Sequence, residues 1–156
     1  MEALEYAVNK GRQEIVQLLL NYDAHPNRSN ALKNAAVQGH CEIARMLLSK
    51  GAKPDTPNVL SAVAMKGHDE VIRLLLEIGA DLDIQSALSN AATSGHEESV
   101  RLILQKSNKL EKTRALPSAA SEGHTTNVRL LLDKGTGAIP RLVIGLASQK
   151  QCSYQY

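Results

Sequence analysis

Five glycines at a constant spacing constrain this chain more than any other feature. They stand at positions 11, 39, 67, 95 and 123, so each is 28 residues after the one before it. Four of the five are followed directly by histidine and then by a segment rich in leucine, isoleucine and valine. A fixed period of this length without an insertion is typical of stacked structural repeats. The sequence therefore predicts a repeat array in which each unit buries its apolar faces on its neighbours.

The 156 residues are predicted to form a single array. The chain is long enough to bury a sizeable core. Because it contains no Trp and no Phe, we expect that core to consist of Leu, Ile, Val and Ala. The predicted units are 1–28, 29–56, 57–84, 85–112 and 113–140, and residues 141–156 form a partial unit.

The second unit shows the structure expected of every repeat. Asn30 is suited to cap a first helix (helix A), and Gly39 ends that helix because left-handed backbone costs glycine least. A second helix (helix B) is expected to begin near Cys41 and to stop at Gly51. Each helix has an apolar face at helical spacing, and no segment alternates as a strand would. We therefore expect an all-α chain of helix-turn-helix units joined by short connectors.

We expect helix A of each later unit to be capped at the position equivalent to Asn30. Its equivalents are Asn58, Ser86 and Arg114, and Thr113 is the alternative cap in the fifth unit. Pro117 would then lie in the first turn of its helix, where proline is tolerated.

The repeat pattern decays after position 135. Residues 141–156 still match helix A of a repeat, but their outer positions are apolar. Two explanations remain open: a half-repeat that caps the array, or an array cut from a longer one. Since a cap should have a polar outer face, we favour an excised or split array, or one that closes this end by self-association.

Several segments resemble the ankyrin repeat family. The segments 87–96 and 100–104 match the family's two helices, and 79–83 resembles its Gly-Ala-Asp-Val-Asn helix exit. The resemblance covers residues 1 to about 140, although the period is five residues shorter than the roughly 33 of the family. The missing residues fall where ankyrin repeats form a β-hairpin finger, and the family's Thr-Pro-Leu-His tetrapeptide is absent. The resemblance thus implies an all-α, ankyrin-like helix-turn-helix solenoid with reduced or absent β-hairpin fingers.

Charge, cysteines and hydropathy limit the possible partners. Eighteen basic and sixteen acidic residues give a net charge of +2, too small to indicate nucleic acid or membrane binding. Cys41 and Cys152 lie four repeats apart, about 40 Å at roughly 10 Å per helix layer, so no disulfide is expected. No apolar run approaches the roughly 20 residues that span a membrane, and the first residues lack the features of a signal peptide. The expected location is cytoplasmic, with the nucleus as the alternative.

No set of residues predicts catalysis or a cofactor. The histidines at 40, 68, 96 and 124 share one position of the repeat, so neighbours should lie about 10 Å apart, too far to share a metal. We expect them to structure the turn between helices A and B. The Gly-His motif lacks the lysine and glycines of a phosphate-binding loop. The prediction is a protein that is not an enzyme and needs no cofactor or metal.

Helix B carries a recurring acidic and basic pair. Glu42 and Arg45 are three residues apart, and the pair recurs at 70 and 73 and at 98 and 101. Such pairs stabilise a helix by about 0.2–0.5 kcal/mol each. A solvated face is expected, with a row of guanidinium groups for an acidic partner as the alternative.

The candidate partner-binding surface is the side of helix A that faces away from helix B. The resemblance implies that this is the concave side that ankyrin repeats use for partners. The two residues before each glycine differ from unit to unit while the flanking positions hold, which indicates either a tailored surface or an unconstrained one. These residues are Asn9, Lys10, Val37, Gln38, Met65, Lys66, Thr93, Ser94, Ser121 and Glu122.

Within this surface, Val37 and Met65 are expected to be exposed apolar residues on adjacent units. Lys10, Lys33 and Lys66 would surround them as a basic rim. The predicted function is a protein–protein interaction scaffold whose partner offers an acidic, partly apolar segment. The alternatives are a structural, self-associating array and the non-catalytic sensing arm of a larger protein. We expect a monomer, or weak self-association through the C-terminal half-repeat.

Overall fold

The computed structural model describes residues 2–22, 24–27, 30–53, 58–79 and 83–133. These residues form α-helices and turns, and no strand occurs among them. The predicted all-α fold is therefore confirmed. The helices are α1 (Glu2–Asn9), α2 (Gln13–Asn21), α3 (Ala31–Val37), α4 (Cys41–Ser49), α5 (Val59–Lys66), α6 (Asp69–Ile78), α7 (Ile84–Ser94), α8 (Glu97–Leu104), α9 (Lys109–Ser121) and α10 (Thr125–Asp133).

The helices form two layers of a stack. Odd-numbered helices correspond to helix A and even-numbered helices to helix B, and each packs on its equivalent in the next pair as well as on its own partner. The helix B elements begin at residues 13, 41, 69, 97 and 125, which keeps a step of 28. Helices of about 7 to 13 residues are marginal alone, so this packing stabilises them.

The core is aliphatic and runs the length of the stack. Ala35, Ala91 and Ala119 occupy equivalent positions of helix A and are completely buried, which lets neighbouring helices approach closely. Leucine, isoleucine and valine from helix B fill the space between the layers, with Ile43 and Leu75 among the fully buried side chains.

Two positions of this core are polar. Ser99 is completely buried and donates a hydrogen bond from its hydroxyl to the Asp69 carboxylate of the preceding unit. Asn127 is 1% exposed; its Nδ2 donates to the Ala92 carbonyl at 3.4 Å, and its Oδ1 has no partner among the described residues. Both replace an aliphatic residue of the position occupied by Ile43 in the second unit.

Asn30 and Asn58 stand at the predicted cap positions, but the prediction that their side chains cap the helices is wrong. Each residue directly precedes a helix, but its side chain makes no cap hydrogen bond. Both adopt left-handed backbone, with φ of 52° and 66°. Asparagine tolerates this conformation better than most residues, so these two positions turn the chain into helix A through their backbone.

The predicted caps at Ser86 and at Thr113 or Arg114 are also wrong. The helix containing Ser86 begins at Ile84, because the Asp83 side chain accepts a hydrogen bond from the Ser86 N–H at 3.0 Å. A capping residue that lies further upstream starts the helix earlier.

In the fifth unit the difference is larger. Asn108 and Glu111 form a capping box, in which the side chain of each accepts the backbone N–H of the other, at 3.0 and 2.7 Å. Pro117 therefore lies in the interior of α9 and not in its first turn. Only residues 105–108 separate α8 from α9, so helix occupies the part of the repeat where an ankyrin finger would be.

Candidate functional site

A glycine and a histidine of the next unit meet at four of the turns between helices A and B, those of Gly11, Gly39, Gly67 and Gly95. Gly67 has a φ of +71°, and a Cβ built on it would lie 2.6 Å from Nδ1 of His96. The same contact recurs between Gly39 and the next unit's His68, at 2.7 Å. The glycine is thus required twice: its backbone is left-handed, and the imidazole ring of the next unit fills the space of a side chain.

The histidines also connect one unit to the next through hydrogen bonds. His96 Nε2 donates to the carbonyl of Met65 at 3.2 Å, and His124 Nε2 donates to that of Thr93 at 2.9 Å. The structure therefore places these histidines in the predicted turn. No group of three or more metal-ligating side chains occurs in the part of the chain that the structure describes.

Met65 and Thr93, whose carbonyls accept these hydrogen bonds, belong to the candidate partner-binding surface. The bonds from His96 and His124 therefore connect this surface to the following unit. Most of the predicted residues lie at the C-terminal ends of the helix A elements or in the turns that follow, and they are exposed. The exposed members are Asn9, Lys10, Lys33, Gln38, Met65, Lys66, Thr93, Ser121 and Glu122, whereas Val37 and Ser94 are half-buried.

Val37 does not have the predicted exposure. As the last residue of α3, its side chain packs against the hydrophobic core, which removes part of it from solvent. Met65, at the equivalent position of the next unit, is 53% exposed. Met65 is therefore the main exposed apolar side chain among these residues.

Cations and hydroxyls are divided between the two halves of the surface. Lys10, Lys33 and Lys66 are exposed and form no ion pair with another described residue. In the C-terminal half, the hydroxyls of Thr93 and Ser121 donate to carbonyls of their own helices, at 2.8 and 3.0 Å. The exposed lysines among these residues therefore all belong to the N-terminal half.

The predicted pairs on helix B occur in only one of three cases. Arg45 pairs with Glu42 three residues before it, at 3.7 Å. Arg73 instead pairs with Glu98 of the next unit, at 3.8 Å, and Arg101 pairs with Glu97, four residues before it. Every one of these guanidinium groups faces a carboxylate, which argues against a free guanidinium row for an acidic partner.

Cys41 is a buried free thiol, and burial raises its pKa because the thiolate would lose its hydration. Cys152 and the C-terminal partial unit lie outside the described residues. None of the described helices has the length and apolar content needed to cross a membrane.

One apolar surface is not among the predicted sites. Tyr6, Ile15, Leu18 and Tyr22 are exposed on the first unit. A comparison with the next unit would have singled out Tyr6 and Tyr22, because their equivalents 28 residues further on are Asn34 and Lys50.

A two-layer stack of helix pairs joined by Gly-His turns defines a helical repeat solenoid, a class that presents extended surfaces to binding partners. The sequence pattern of ankyrin repeats (3 copies) matches residues 1–58 and 59–140, so the chain belongs to the ankyrin repeat family. Ankyrin repeats are generally protein–protein interaction modules and are typically not enzymes. No curated protein matches the chain at a significant level.

Proposed function

We propose that this protein is a scaffold that binds an acidic, partly apolar segment of a partner protein on its helix A surface. The observation that carries the proposal is Met65, a large apolar side chain that is more than half exposed at the C-terminal end of α5. Methionine suits such a role because its flexible thioether adapts to differently shaped partners.

Charge favours an acidic partner. Lys66 is adjacent to Met65, Lys33 lies on the preceding helix A element, and Lys10 lies one unit further towards the N-terminus. Because these ammonium groups are exposed, their attraction for a carboxylate is screened by salt. We therefore expect binding to weaken as the ionic strength rises.

The 28-residue units and the C-terminal half-repeat remain part of this proposal. The equal spacing of the helix B elements supports units 1–28 to 113–140. The scaffold can act alone or as the sensing arm of a larger protein. Residues 141–156, to which self-association is attributed, lie outside the described residues.

A double substitution that introduces two carboxylates tests the binding surface. Met65→Glu combined with Lys66→Glu should weaken partner capture from lysate of the source cells at least about tenfold, since it replaces an apolar contact and repels carboxylates. A photo-crosslinking residue at position 65 should label the same partner. The melting temperature should change little, because both side chains are exposed.

The matched control is Leu110→Glu combined with Arg129→Glu. Leu110 is 59% exposed at the N-terminal end of α9, and Arg129 is exposed on α10, so neither change falls on a predicted partner-binding residue. This variant should capture the partner as the unmodified protein does. Equal capture by both variants would sink the proposal.

A further inference from the structure

A cleft of about 270 Å³ lies between the helix B elements α6 and α8, in the middle of the described stack. Its lining residues are Arg73, Leu76, Glu77, Leu102, Gln105 and Lys106. The first three come from α6, and the others come from α8 and the turn that follows it. None of them belongs to the helix A surface considered above, so the cleft is a separate feature of the helix B layer.

The floor of the cleft is apolar. Leu102 is 7% exposed, and Leu76 is half-buried and packs against the hydrophobic core. Because α6 and α8 pack directly on each other, the fold itself holds both leucines in place. A small apolar floor of this kind can receive an aliphatic group, since removing such surface from water is favourable.

The rim of the cleft carries charges of both signs that the fold does not use. Glu77 on α6 and Lys106 after α8 are exposed, and neither forms an ion pair with a described residue. Arg73 differs, because Glu98 lies 3.8 Å from its guanidinium group. One carboxylate and one ammonium group, on the two walls of the same cleft, are therefore available to a ligand.

This pair of charges is not part of the repeating framework. One unit earlier, the groove between α4 and α6 has leucine at both floor positions, but Ser49 and Ile78 take the places of Glu77 and Lys106. The Ser49 hydroxyl donates to a carbonyl of its own helix at 2.8 Å. Since one unit packs on the next without the charged pair, its occurrence between α6 and α8 favours a role in binding.

We propose that this cleft binds a free α-amino acid with an apolar side chain. The ammonium group of the ligand pairs with Glu77, and its carboxylate pairs with Lys106. Its side chain lies on the floor formed by Leu76 and Leu102. The argument is charge complementarity, because a zwitterion carries both opposite charges beside its apolar group. A residue inside a peptide has neither charge on its backbone and would leave both walls unused.

The exposure of the charged groups sets the expected strength. Exposed ion pairs are screened and weak, so the loss of one should weaken binding only about two- to fivefold. A small ligand in an open cleft makes few contacts, and we therefore expect a dissociation constant on the order of 1 mM. Binding should also weaken as the ionic strength rises.

Titration of the full chain with L-leucine, followed through the amide signals in NMR spectra, tests the site. The signals of Glu77, Gln105 and Lys106 should shift and approach saturation by about 20 mM leucine. The signal of Ser49, at the equivalent position one unit earlier, should not shift. Absence of a saturable shift at the three cleft residues would overturn the proposal.

Three analogues of leucine test its charges on the unmodified protein. Isocaproate lacks the ammonium group, isoamylamine lacks the carboxylate, and N-acetyl-leucinamide lacks both charges. The first two should bind about two- to fivefold more weakly than leucine, and the third more weakly still. If N-acetyl-leucinamide binds as tightly as leucine, the cleft receives a peptide segment and the proposal is wrong.

Glu77→Gln and Lys106→Gln assign each charge to its wall. Glu77→Gln should bind leucine about two- to fivefold more weakly but isocaproate at least as well as the unmodified protein does, because isocaproate has no ammonium group. Lys106→Gln should behave in the same way towards isoamylamine.

The matched control is Glu14→Gln, which changes an exposed glutamate on α2 and should leave all of these affinities unchanged. Circular dichroism establishes that the three variants are folded. Leucine binding of unmodified strength by either cleft variant would contradict the proposal, whatever the result for the helix A surface.

Discussion

At the scale of single residues, four of the turns between helices A and B depend on a glycine whose missing side chain makes room for a histidine of the next unit. Gly67 illustrates two separate requirements, a left-handed backbone and the absence of a Cβ beside the His96 ring. The sequence predicts the first from the position of glycine at a helix end. The second follows only from the structure, because the histidine that fills the space is 29 residues away.

Gly67→Ala should destabilise the protein more than Gly51→Ala. Both glycines have positive φ, which costs alanine about 1–2 kcal/mol, but no described atom lies within 4 Å of a Cβ on Gly51. At Gly67 the His96 ring must also move, and such overpacking costs a further 1–3 kcal/mol or so. Urea unfolding followed by circular dichroism gives both changes in the free energy of unfolding.

A double-mutant cycle separates the two costs. In a His96→Ala background, Gly67→Ala should lose the steric part of its effect and resemble Gly51→Ala. If the cost at Gly67 is the same with and without His96, the ring does not impose the requirement for glycine.

At the scale of helices, the starts of the helix A elements vary while their ends are constant. The sequence predicts the ends well because glycine and histidine mark them in four units. It predicts the starts poorly because asparagine at the expected position takes left-handed backbone in α3 and α5, whereas Asp83 and Asn108 start α7 and α9 earlier. Which residue caps a helix depends on the direction of the incoming connector, which is set by packing.

The cap of α7 should make stability depend on pH. Hydrogen bonds from Ser86, first through its hydroxyl and then through its N–H, hold the pKa of Asp83 below its usual range. A carboxyl with a lowered pKa stabilises the fold above its unfolded pKa of about 3.9, and this contribution is lost as the pH falls through the folded pKa.

Asp83→Asn isolates this contribution, because asparagine also caps helices but does not titrate. Between about pH 5 and pH 2, the free energy of unfolding should fall more steeply for the unmodified protein than for the variant. Urea midpoints at a series of pH values provide the measurement. Parallel profiles would show that the carboxylate form of Asp83 does not stabilise the fold.

At the scale of the whole molecule, every unit is stabilised by its nearest neighbours. In the described part of the stack, central units contact a neighbour on each side, whereas α1 and α2 contact only the second unit. In such an array, opening is expected to begin where a neighbour is missing.

Amide hydrogen exchange at low protein concentration should reflect this difference. We expect α1 and α2 to exchange faster than α5 to α8, because opening the first unit breaks one inter-repeat interface and opening a central unit breaks two. Residue-resolved exchange by mass spectrometry or NMR measures it. Equal protection of α2 and α6 would show that the stack opens only as a whole.

The sequence by itself determined the repeat, its 28-residue step, the all-α class and the position of the variable surface. Those properties depend on local helix signals and on a period that needs no tertiary information. The tertiary structure alone decided that Val37 packs on the core while Met65 is exposed. It also decided where α7 and α9 begin, and that Ile15 is exposed although its equivalent Ile43 is completely buried. These properties depend on which neighbour covers a side chain, and the same repeat position is buried or exposed according to what is stacked against it.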